Sequence, residues 1–179
     1  MKLLGISGDI VGKKTANAVN EVLIKAKEQN PDLEIELIDL KNFNVEFVDG
    51  RPLEKYNNDT KSVVNKILAA DFFIIGTPVY QASITGVLKN LFDHLPTDVF
   101  KSKVVGMITI AGTDKHFLVG EMQLKPILSF FKAITVTQNV FIPSNSFDEQ
   151  NQIKELDIQH RIENLVDELL FVQKRLKEK

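Results

Sequence analysis

The sequence contains no cysteine. That absence excludes disulfides, thiolate metal sites and a catalytic thiol together, and it leaves the compartment open. Nor does any run approach the roughly 18 apolar residues of a membrane-spanning helix. The apolar start Met1–Ile6 gives way to Ser7-Gly8-Asp9, too short for the core of a secretory signal and with no small-residue cleavage site behind it. A soluble, cytoplasmic chain is therefore expected. Neither sign of charge dominates: the formal net charge is -2 with 26% charged residues, and no Lys/Arg-rich stretch gives a nucleic-acid partner electrostatic support. Three scattered histidines never fall at H-x-x-x-H spacing, so no metal-ligand constellation is expected. Linkers, internal repeats and low-complexity segments are missing too. What remains is a chain of 179 residues, 44% of them hydrophobic, which suits one domain, 1–179, with a proper core.

Short apolar runs alternate with longer amphipathic stretches. Lys2–Ile6 reads as a buried strand. Ala18, Val22, Leu23 and Ala26 recur at helical spacing between Lys14 and Glu28, and Asn30-Pro31 ends that helix. Leu33–Leu40 alternates apolar and polar residues, as a strand near a sheet edge does. Residues 42–58 are irregular. Thr60 is placed to cap a helix running to about Ala70, and Phe72-Phe73-Ile74-Ile75 is the continuous apolar run of a central parallel strand. Further helices are expected over Ser83–Leu95, over Phe117–Lys132 with Pro126 interrupting, and over Gln152–Lys177. Further strands are expected over Val104–Ile110 and Ile134–Ile142, and Lys174–Lys179 reads as a frayed, solvated helix end. The alternating order predicts a doubly wound α/β sheet with helices on both faces. Ligands of such sheets sit beyond the carboxyl ends of the strands, at the switch point.

That rule selects three loops. Ser7–Asn17 follows the first strand and combines small residues with Lys13, Lys14, Thr15 and Asn17 where a helix begins. Helix N-terminal amides and hydroxyl donors together make an anion site, although Thr15 or Asn17 would serve equally as a structural cap. The stretch from Thr77 to Ser83 follows the third strand, and Tyr80 there is one of two tyrosines. An aromatic at that place walls a planar ligand or simply packs on the next helix. Ala111-Gly112-Thr113 follows the fourth strand, where a glycine permits close backbone approach or makes an ordinary turn.

With these residues in hand, the chain resembles the NAD(P)H-dependent FMN reductase family, most closely the branch associated with alkanesulfonate monooxygenases. Gly5-Ile6-Ser7-Gly8, Thr77–Pro96 and Lys103–Lys132 carry the resemblance, which spans Met1 to about Phe147; its most specific part is Pro78-Val79-Tyr80 followed by the Gly86-Val87-Leu88-Lys89 helix start. The resemblance implies a flavodoxin-like three-layer sandwich whose five-stranded parallel sheet has the order 2-1-3-4-5, usually dimeric or tetrameric. It implies FMN and NAD(P)H as cofactors and hydride transfer to the flavin N5 with no covalent side-chain chemistry. Ser7, Thr15, Ala16 and Asn17 would surround the FMN phosphate. Pro78, Val79, Tyr80, Gln81 and Ser83 would contact the ribityl chain and ring, and Gly112, Thr113 and His116 would line the pyrimidine side. Reduced flavin would then serve a flavin-dependent monooxygenase, iron or oxygen.

Two departures change the expectations. The family's phosphate loop reads serine-x-arginine, whereas this chain has Asp9-Ile10-Val11. A carboxylate stands for a hydroxyl and the basic residue is missing, with Lys13 or Lys14 as stand-ins. Weakened FMN binding, with flavin a dissociable substrate, is the expectation. Met122 stands where the sulfonate-linked branch inserts a tyrosine, so neither a helix bulge there nor a direct link to sulfonate metabolism follows. The alternative activities are a flavin-bound quinone, azo-dye or chromate reductase and a non-enzymatic flavodoxin-type electron carrier. Carriers are strongly acidic, which -2 is not. A phosphoacceptor domain ranks last, because Ser7-Gly8 and Thr77-Pro78 occupy the strand ends where it needs acids.

Overall fold

The computed structural model describes residues 1–178. The apolar runs become strands of one parallel sheet: β1 (Lys2–Ser7), β2 (Glu34–Asp39), β3 (Phe72–Pro78), β4 (Val104–Ala111), β5 (Ile134–Thr135) and β6 (Val140–Pro143). Their order is β2-β1-β3-β4-β5, with β6 also paired to β4. The expected flavodoxin-like order 2-1-3-4-5 is therefore the observed one, and β2 is the partly exposed edge. Strand side chains point alternately to opposite faces, and two cores result. Leu4, Ile6, Phe73, Ile75, Val105 and Met107 face α2 (Asn58–Ala69), α3 (Gly86–Asp93) and α4 (Lys125–Phe130). Leu3, Phe72, Ile74, Val104 and Ile108 face α1 (Lys14–Gln29) and α5 (Leu156–Lys177). Gly5 and Gly76 let α1 lie flush on the sheet, since a Cβ on either would come within 2.6 and 2.4 Å of Val19 methyls. No helix among the described residues is long and apolar enough to cross a membrane.

Several local expectations are corrected. The strand expected over Ile134–Ile142 is split. Thr135 pairs with Val105 and Val140 with Ile108, so four residues, 136–139, bulge against two of β4. The loosened amides find a partner in Glu168 of α5, which accepts from the Thr137 and Gln138 backbones at 2.9 and 2.8 Å. Burial alone would raise the Glu168 carboxyl, but those amides outweigh it and hold it below its usual range. Asn57, not Thr60, caps α2: its side chain accepts from the Thr60 N–H at 2.8 Å, while the Thr60 hydroxyl accepts from the Glu46 N–H at 2.9 Å.

The single helix expected over Phe117–Lys132 is also broken, and it does carry a bulge. Asp114–His116 form a 3-10 turn, Gly120–Leu124 a π-helical turn, and only Lys125–Phe130 a regular helix. Pro126 has no N–H to give the Met122 carbonyl, and its ring would crowd that carbonyl in an α turn. The widened turn places the Lys125 N–H on the Gly120 carbonyl instead. A bulge thus arises without the tyrosine. The last helix starts at Leu156 rather than Gln152 and runs to Lys177, where Arg175 pairs with Glu178 at 3.1 Å; Lys179 lies outside the described residues.

Candidate functional site

The carboxyl ends of β1, β3, β4 and β6 meet around one cavity of about 280 Å3. The β1–α1 loop contributes Asp9, Val11, Gly12, Lys13, Lys14 and Thr15; the β3 end contributes Pro78, Val79 and Tyr80; β4 contributes Ile110, Ala111 and Gly112. The three loops selected from the sequence therefore do converge. A fourth, contributing Ser144 and Asn151, was missed. It follows β6 at the same edge, so the rule that found the others applies to Pro143-Ser144-Asn145-Ser146 as well.

The β1–α1 loop is fixed by its own polar groups. The Gly8 N–H donates to the Gly76 carbonyl at 2.8 Å, and the Thr85 hydroxyl to the Gly8 carbonyl at 2.6 Å. Asp9 is only 5% exposed. Its Oδ1 accepts from the Val11 N–H at 3.0 Å and from the Tyr80 hydroxyl at 2.8 Å, and its Oδ2 from the Thr15 hydroxyl at 3.4 Å. Burial on its own would raise this carboxyl. The Val11 amide, the Tyr80 hydroxyl and the Gly12 and Ile10 amides outweigh burial and hold it below the usual carboxylate range. In return, burial and the Asp9 charge push the Tyr80 phenol up to about 12.

The other expected residues separate into two groups. Ser7 lies fully buried at the tip of β1, and its Oγ has no hydrogen-bond partner. Thr15, Pro78, Val79, Tyr80 and Gly112 line the cavity. Ala16, on the first turn of α1, does not. Asn17 is not in the lining: its amide donates to the carbonyl of Asn151, a lining residue, at 2.9 Å, and Asn17 borders a separate hollow of about 370 Å3. Gln81 and Ala82 form a two-residue turn with φ of 49° and 61°, closed by paired Tyr80 and Ser83 backbone bonds of 3.0 Å. The Ser83 hydroxyl reaches Gln123 Oε1 at 2.5 Å, and Gln123 Nε2 donates back to the Ala82 carbonyl at 2.7 Å. Thr113 caps the 3-10 turn, accepting from the Lys115 N–H, and neither it nor the half-buried His116 lines the cavity.

Two features suit a flavin mononucleotide. The β1–α1 loop already turns its amides onto an anion, and Ser7 Oγ is a buried hydroxyl without a partner beneath it. Pro78, Val79, Ile110 and Ala111 offer an apolar wall of the kind a planar ring packs against.

Comparisons with known proteins bear on the family and the fold. The description NADPH-dependent FMN reductase matches residues 1–148. A Geobacillus thermodenitrificans protein named NAD(P)H-dependent FAD/FMN reductase is 44% identical over 177 residues, which cover 99% of this chain and 96% of that one. A Pseudomonas aeruginosa FMN reductase (NADPH) is 27% identical over 154 residues, covering 86% of this chain and 83% of its own. The solved structure of an oxidoreductase from Corynebacterium diphtheriae is similar with a TM-score of 0.80 at 22% identity, over 98% of both chains. At that identity the likeness carries the fold.

Proposed function

The chain belongs to the NADPH-dependent FMN reductase family, and we propose that its carboxyl-edge cavity is where it moves hydride from NADH or NADPH to FMN. One observation carries the location: loops separated by tens of residues in sequence bring Asp9, Tyr80 and Gly112 to the lining of one cavity. When bound, the flavin supplies the hydride-accepting chemistry. The chain supplies placement. Pro78, Val79 and Tyr80 form one wall, Gly112 leaves the backbone open to close approach, and the N-terminal amides of α1 with the unpartnered Ser7 hydroxyl stand at the phosphate end. Gln81, Ser83, Thr113 and His116 lie on the loops after β3 and β4 but outside the lining, and Ala16 and Asn17 lie in the first turn of α1. No general acid is required of them.

In this reading residues 1–179 form one FMN-binding domain working in the cytoplasm, where reduced nicotinamide is supplied. Reduced flavin passes on to a flavin-dependent monooxygenase or another acceptor. A homodimer or homotetramer is supported by exposed apolar side chains such as Phe130, 64% exposed beside a groove formed with Phe92 and Ile127. Size-exclusion chromatography with light scattering tests this, a monomer at micromolar concentration counting against it. The function itself is tested by following NADH and NADPH oxidation with and without added FMN, on protein of known flavin content. Oxidation that rises with FMN is expected. Protein that neither binds flavin nor consumes nicotinamide in its presence would overturn the assignment.

A further inference from the structure

The seat that a flavin phosphate would take already holds a negative charge. Asp9 Oδ1 draws the Val11 N–H and the Tyr80 hydroxyl, and Oδ2 draws the Thr15 hydroxyl. Gly12 closes over the same oxygen so tightly that a Cβ there would come within 3.1 Å of it. These are amides and hydroxyls of the kind that an anion at a helix start uses. The carboxylate is held from both sides, since the loop backbone is tied to β3 through Gly8 and Gly76 and to the α3 cap through Thr85. Two nearby cations are engaged elsewhere, and a third, Lys13, lines the same cavity. Lys14 Nζ donates to the Ser144 carbonyl at 2.8 Å, and Lys41 Nζ donates to the Gly12 carbonyl at 3.0 Å while lying 3.7 Å from Asp39.

We propose that Asp9 is a specificity-determining internal anion: it occupies the Val11 amide and the Tyr80 and Thr15 hydroxyls of the phosphate seat, so the site takes flavins by their ring and ribityl chain and discriminates little between those with and without a 5′-phosphate. This rests on the flavin reading above and deepens it, because the substrate class becomes flavins in general, riboflavin included. A phosphate dianion entering this loop meets the Asp9 carboxylate, and the Val11 amide and the Tyr80 and Thr15 hydroxyls already serve that carboxylate. The Asp9 carboxyl lies below its usual range, so this opposition persists at neutral pH. The same loop with an uncharged residue at position 9 would welcome the phosphate.

The test is the ratio of riboflavin to FMN dissociation constants, read by quenching of flavin fluorescence on flavin-free protein. The wild-type ratio should lie within about threefold of unity. In Asp9→Ser and Asp9→Asn it should rise at least tenfold in favour of FMN, about 1.4 kcal/mol, with riboflavin affinity changed less than FMN affinity. The wild-type measurement stands even if a variant fails to fold, which circular dichroism and melting would reveal. A wild type that already prefers FMN by tens of fold, or folded variants whose ratio stays flat, overturns the role of Asp9 and leaves the flavin site standing. Protein that binds neither flavin overturns the flavin reading and this inference with it.

Discussion

Around the cavity, the β1–α1 loop is held by its own satisfied polar groups, whereas the Tyr80–Ser83 turn is held against its backbone preference. In the first, Asp9 gathers amides and hydroxyls and is nearly inaccessible. In the second, Gln81 and Ala82 both adopt left-handed φ while exposed, and the Gln123 side chain clamps the turn from the π-helical segment across the site. Saturated polar groups in low dielectric make a loop stiff. A strained turn tied by one distant amide stores a cost and has room to relax. The phosphate end of this cleft is thus the stiffer part, and the ring end the part with room to adapt.

The sharpest way to break that contrast is Gly76→Ala. The new Cβ would come within 2.4 Å of a Val19 methyl and 3.1 Å of the Thr15 methyl, and overpacking of this kind costs about 1–3 kcal/mol. A urea midpoint lowered by about 2 kcal/mol of stability is expected, together with weaker flavin binding as Thr15 is displaced. A loss under about 0.5 kcal/mol would mean that α1 yields easily and the β1–α1 loop is softer than argued. Tyr80→Phe should cost less, about 1.5 kcal/mol, the low end for a hydrogen bond to a charged group, since Tyr80 is 40% exposed. Its pH signature is more telling. The folded phenol lies at about 12, above its ordinary 10, so its contribution is complete below pH 10 and fades as pH rises toward 12. Asp9 lies below its ordinary 3.8, so its contribution is complete above that value and is lost as pH falls beneath it. The wild type should outlast Tyr80→Phe in urea at pH 7 and match it once tyrosinate absorbance shows the phenol ionised; a gap unchanged at high pH would sever the Asp9–Tyr80 link.

How much of this was legible in the sequence depends on the range of the interaction. Strands declared themselves through apolar runs, because burial on both faces is a property of each segment alone. The three loops followed from strand order. Asn17 donates to the carbonyl of Asn151, 134 residues away, a partner that no local pattern encodes. Splitting of the last strand depends likewise on Glu168, about 30 residues downstream. By contrast, the π turn before Pro126 and the Asn57 cap were local and readable: proline's missing donor and a side-chain acceptor three residues before Thr60 are both written in the chain. They were overlooked in favour of a tyrosine and a threonine.

Smaller effects sharpen the ring end. An L-residue in the left-handed region costs about 1–2 kcal/mol, and a glycine there gives back about 0.5–1 kcal/mol of that through chain entropy. Ala82→Gly should therefore raise stability by roughly 0.5 kcal/mol, and Gln123→Ala, by freeing the turn, should make that gain disappear. No gain in the urea midpoint would mean that the turn is not strained.

The smallest stability change is expected at Gly112, and it is informative for that reason. A Cβ built there has nothing within 4 Å, and no left-handed φ forbids it, so Gly112→Ala should leave the urea midpoint within about 0.5 kcal/mol. If Gly112 is a glycine because a flavin ring lies against the backbone, the same methyl group must intrude on the ligand alone. An unaltered midpoint with flavin affinity reduced about tenfold, roughly 1.4 kcal/mol, would separate a ligand-facing surface from an ordinary turn. Unaltered affinity would move the ring away from β4 and leave Pro78, Val79 and Tyr80 as its wall.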